Sequence, residues 1–90
     1  MTMLGSKTQS RSARKPFSID WADFLEGDTI TESSWSISPD GLNKQDESLT
    51  GAKATVWLSG GQSGARYVVT NQITTAGGIT DERSFEISIS

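Results

Sequence analysis

Cysteine and histidine are both missing from this chain. Without cysteine there is no disulfide framework, no thiolate metal site and no cysteine nucleophile, and the fold is indifferent to redox compartment. Without histidine the chain lacks the commonest general base and the commonest transition-metal ligand. No apolar run approaches the roughly 20 residues of a membrane-spanning helix. The basic N-terminus has no apolar stretch of about 7–15 residues, so it does not read as a secretory signal. The expectation is a soluble protein with no cofactor and no membrane contact. Proline is scarce too: there are two, Pro16 and Pro39, and each falls where the sequence pattern changes.

What is present is 90 residues, enough for one domain at most. A chain this short buries only about 60–65% of the surface exposed when unfolded, so its core is thin and subunit contacts would support it. The net charge of −3 conceals an uneven distribution. Residues 1–16 hold Lys7, Arg11, Arg14 and Lys15 and no acid, whereas residues 17–90 hold all eleven acids against Lys44, Lys53, Arg66 and Arg83. A segment of +4 therefore precedes a body of −7. Residues 1–16 are rich in Ser, Thr, Lys, Arg and Gln and read as a flexible basic arm ending at Pro16, with residues 17–90 as the folded domain.

From Phe17 onward the periodicity is two. Phe17, Ile19 and Trp21 alternate with Ser18 and Asp20, predicting a short first strand. Ala22 to Asp28 reads as a helical turn or tight loop that tucks Phe24 or Leu25 under a sheet. Thr29 to Ser38 is rich in Thr, Ser, Ile and Trp, which suit a half-buried pleat, and Ile30 is out of phase with Trp35 and Ile37. That phase shift predicts a bulge near Ser33 and Ser34. Pro39-Asp40-Gly41 is turn chemistry. Leu42 to Gly51 is polar and weakly patterned, and reads as a loop with a short edge strand anchored by Leu42 and Leu49. Ala54, Val56 and Leu58 share one face of the next strand, with Trp57 on the other. Gly64 to Thr75 and Thr80 to Ser90 then form a hairpin across Gly77-Gly78, with Phe85, Ile87 and Ile89 on its buried face. Six or seven strands with closely spaced turns and no long helix predict a small sandwich of two antiparallel sheets.

Little of this carries chemistry. Asp20, Asp23, Glu26 and Asp28 form the densest set of oxygen ligands, but their spacing is not that of an EF-hand, and a solvated acidic loop explains them. Nothing sets two carboxylates apart for acid–base work, which argues against an enzyme. Gly60-Gly61-Gln62-Ser63-Gly64 lacks the Lys-Ser/Thr of a phosphate loop and leads into a strand, so it reads as a turn. The basic segment admits three readings: a solvated tail, a tether on an acidic neighbouring subunit, or a weak, salt-sensitive DNA contact. The acidic body argues against nucleic acid. Trp57, on an outer face, is a candidate interface anchor.

The order of motifs adds a resemblance. Ala54 to Gly61, Gly64 to Thr70 and Gly77 to Ile87 resemble bacterial and phage immunoglobulin-like modules. Phe17-Ser18-Ile19-Asp20-Trp21, Gly27-Asp28-Thr29-Ile30 and Ser34-Trp35-Ser36-Ile37 extend the resemblance to a family of small tailed-phage proteins described as fiber–tail adaptors or immunoglobulin-like virion proteins. It covers residues 17–90, is poor across Asn43 to Thr50, and leaves out the basic segment. It implies an immunoglobulin-like β-sandwich whose Tyr67 hydrogen-bonds back to nearby backbone. It also implies a non-enzymatic component of the phage particle at the head–tail or tail–fiber junction, present in the virion and, during assembly, in the host cytoplasm. The expected partners are other virion proteins and further copies of the same chain, contacted through Lys7, Arg11, Arg14, Lys15 and Trp57. A capsid decoration or host-surface recognition module is the alternative, holding protein or glycan at the loops around Asp40–Asp46 or Gly60–Gly64 and at Trp57.

Overall fold

A computed structural model of the protein describes residues 2–10 and 12–90. Seven strands and one helical turn follow in order: β1 (Thr2–Gln9), β2 (Arg14–Asp20), α1 (Ala22–Leu25), β3 (Ile30–Ser38), β4 (Leu42–Thr50), β5 (Lys53–Gly60), β6 (Arg66–Thr75) and β7 (Thr80–Ile89). They make two sheets, β1-β7-β6-β3 and β2-β5-β4. The alternation read from sequence becomes the core: Ile19, Trp21, Trp35, Leu42, Ala54, Val56, Leu58, Tyr67, Val69, Ile73, Phe85, Ile87 and Ile89 are all buried. This is the expected all-β sandwich. Its strand order is that of an immunoglobulin-type sandwich in which the first strand lies on the larger sheet.

The pairing is not wholly antiparallel, because β1 runs parallel to β7, from Thr2 beside Arg83 to Gln9 beside Ile89. The division into an arm over residues 1–16 and a sandwich over 17–90 therefore needs correction. Residues 2–9 are strand, and β2 already begins at Arg14, paired with Ser59. Composition misled here because an edge strand needs no apolar side chain. It satisfies its backbone groups on the neighbouring strand, and that pairing leaves no hydrophobic signature.

Two further elements differ from expectation. The bulge in β3 falls between Ile30 and Glu32, while Ser33 and Ser34 stay in register with Ile73 and Gln72. Thr31 is the extra residue, and its hydroxyl donates to the Thr74 carbonyl at 3.0 Å. In place of a loop and a short strand, residues 42–50 form a nine-residue strand, β4. Its pattern is weak because only Leu42 is buried. The other eight residues of β4 are exposed, so neither face selects apolar residues.

The turns form as read. In α1, the Phe24 and Leu25 N–H groups both donate to the Trp21 carbonyl, and Phe24 packs edge-on against Trp21 at 5.4 Å. The β6–β7 hairpin closes with Gly78 N–H on Thr75 C=O, with Gly78 at φ 86°, a conformation open to glycine. Tyr67 sits on β6, the penultimate strand, and its hydroxyl accepts from the Gln62 N–H at 3.1 Å. Gly41, at φ 129°, lets the ring pass: a Cβ there would lie 2.9 Å from the Tyr67 hydroxyl.

Candidate functional site

The outer face of the β2-β5-β4 sheet centres on Trp57. Alternation along β5 sends Ala54, Val56 and Leu58 inward and leaves Trp57 half-buried on the opposite face. Pairing sets Pro16 of β2 on one side of it and Asp46 of β4 on the other. The Arg14 guanidinium lies over the indole, 4.4 Å from the ring centroid. Such a stack at an exposed site contributes on the order of 0.5–1 kcal/mol. It also holds an otherwise free side chain in one place, so the surface is formed in advance: an aromatic plane, a fixed cation and an adjacent carboxylate.

Of the five residues expected at contacts, the structure brings Arg14 and Trp57 together. Lys7 and Lys15 are both exposed and pair with Ile87 and Leu58, which point inward. Being on edge strands, they carry their charges out along the β1–β2 seam, as inward-set lysines at sheet edges do. Arg11 lies outside the described residues. The Arg14–Trp57 pair was not readable from sequence, since it depends on the β2–β5 register. Pro16 and Asp46 were missed for the same reason.

The acidic cluster is occupied with local structure. Asp20 accepts the Ala22 N–H at 2.9 Å. Asp23 receives both terminal nitrogens of Arg83 at 3.1 Å, and that paired hydrogen bond lowers its pKa from the ordinary value. Arg83 also donates to the Asp20 carbonyl at 3.0 Å and lies 4.4 Å from the centroid of the Trp21 ring. Asp28 is likewise lowered, first by the Thr75 hydroxyl and then by the Thr29 N–H. Among the described residues, no three acids converge as a metal site.

One buried polar network was also missed. The Trp21 indole N–H donates to Asn71 Oδ1 at 2.8 Å, and the Asn71 amide donates to Ser33 Oγ and the Ser34 carbonyl, both at 2.9 Å. Asn71 follows Tyr67 and Val69 at inward positions of β6, and that spacing was the available signal. A separate shallow cleft of about 170 Å³ between β3 and β4 is lined by Ser33, Trp35, Glu47, Ser48 and Leu49.

A family model described as podophage GP4 fiber-tail adaptor protein gp77 matches residues 9–88, from the end of β1 almost to the end of β7. The chain belongs to this family. Membership in the podophage fiber-tail adaptors makes it a structural protein of the phage virion, working against other virion proteins. No curated protein matches it.

Proposed function

We propose that this protein is a non-enzymatic connector at the tail–fiber junction, present in several copies around the particle, that grips a neighbouring virion protein through the Arg14–Trp57 face. The observation carrying this reading is the half-buried indole in mid-sheet with a guanidinium already stacked on it. Tryptophan and arginine are enriched where a few residues dominate interface energy, and an ordered pair loses little entropy on docking. Lys7 and Lys15 along the β1–β2 seam add a positive border suited to an acidic neighbour. Free sheet edges suit this role less well, because β2 carries Pro16 at its edge, and β4 is bulged between Lys44 and Asp46 and charged. The glycan alternative is disfavoured by the stack itself, since Arg14 occupies the indole face that a sugar ring would use.

The test is assembly. Particles built with Trp57→Ala or Arg14→Ala are expected to lack fibers in electron micrographs and to lose infectivity, while the purified variants keep a cooperative melting transition. Fully fibered, infectious particles from both variants would move the contact elsewhere on the molecule.

A further inference from the structure

We propose that β1 is an exchangeable strand: in a pair or ring of copies, β1 of one chain lies on β7 of the next. This concerns contacts between copies and stands apart from the Arg14–Trp57 reading. Three observations carry it.

The first is how β1 is held. Of its side chains from Gly5 to Gln9, only Gln9 is buried. The Gln9 amide donates to the Leu58 and Ala13 carbonyls at 3.0 and 3.2 Å, but its Oε1 is buried without a hydrogen-bond partner among the described residues. The pairing with β7 breaks register between Met3 and Ser6, where Gly5 takes φ 107°. What remains is a parallel backbone ladder, which any identical β1 can supply equally well.

The second is what β1 covers. β7 pairs with β6 without a register break from Thr80 to Ser88, contains no proline or glycine, and presents Phe85, Ile87 and Ile89 to the core. It has neither the proline of β2 nor the bulge of β4, and its charges are confined to Asp81, Glu82, Arg83 and Glu86. An uncovered edge of this kind recruits another strand. The strand whose register and side chains already fit is β1 of a second copy. The family match takes in β2 through most of β7 but only the last residue of β1.

The third is the connection. β1 and β2 join through a turn closed by Ala13 N–H on Ser10 C=O at 3.0 Å, with Ser12 N–H on Ser10 Oγ at 3.4 Å. Opening that turn frees β1 while leaving every β1–β7 contact reproducible between chains, the condition under which exchange costs least. The five steps from Gln9 to Arg14 span at most about 18 Å, so exchanging copies must abut along the β1–β2 edge.

Because the chain has no cysteine, the exchange can be tested with a Thr8→Cys/Ser88→Cys pair, which are register partners on β1 and β7. Adjacent strands lie about 4.8 Å apart, within disulfide reach. The full-length variant is incubated at high concentration, diluted and then oxidised, with a short bis-maleimide as a parallel linker. Light scattering gives the mass of the unmodified chain. Oligomers by mass together with covalent dimers or closed rings on non-reducing gels are expected. A monomeric mass at every concentration would overturn the exchange, as would oligomers in which each chain is cross-linked only to itself.

Discussion

Arg83 shows how one residue can look functional and be structural. It stands on β7 among acids, and its guanidinium stacks on the buried Trp21 while gripping Asp23 and the Asp20 carbonyl. The two partners of the ion pair are not equivalent: the Arg83 side chain is 16% exposed and that of Asp23 is 75% exposed. Arg83→Ala removes a stack, its covering stem and three hydrogen bonds, and is expected to cost about 2 kcal/mol in urea unfolding. Asp23→Ala should cost far less, since exposed ion pairs contribute little. Equal losses would show that the ion pair, and not the stack, holds α1 against the sheet.

Elements were legible in the sequence wherever one face is buried. The β5 alternation, the β6–β7 hairpin and the α1 turn all follow from apolar spacing and turn residues, because each sets apolar side chains into the core or, for Phe24 and Leu25 of α1, against it. β1 and β4 were not legible, since backbone pairing alone holds most of their length. The site divides in the same way: Trp57 could be assigned an outward position by counting, but its partner Arg14 is set by a register that no local pattern encodes. One local conflict remains at the end of α1, where Glu26 takes φ 46° ahead of Gly27. A residue with a Cβ is disfavoured there by roughly 1–2 kcal/mol. Glu26→Gly is expected to raise stability by about 1 kcal/mol, less any gain in unfolded-state freedom. An unchanged or lowered urea midpoint would mean that the Glu26 side chain contributes contacts that offset its backbone strain.

At the scale of the whole molecule, the acids that could have been ligands instead make the fold sensitive to pH. Asp23 and Asp28 both titrate lower in the folded chain than the ordinary 3.8, Asp23 through Arg83 and Asp28 through the Thr75 hydroxyl and the Thr29 N–H. Their contribution is therefore complete above the unfolded value of about 3.9 and is lost as pH falls through the lower folded values. The melting temperature should be level through the neutral range and fall below about pH 4. Asp23→Asn/Asp28→Asn should flatten that fall, and an equally steep fall in the double variant would assign it to other carboxylates. The parallel seating of β1 on β7 has a mechanical corollary. A pull on the first strand against the last meets their hydrogen bonds in shear, with the whole ladder loaded at once and none of it peeled open bond by bond. Tension applied between the two ends of the chain would cross that ladder whether β1 lies on its own sheet or on a neighbour's.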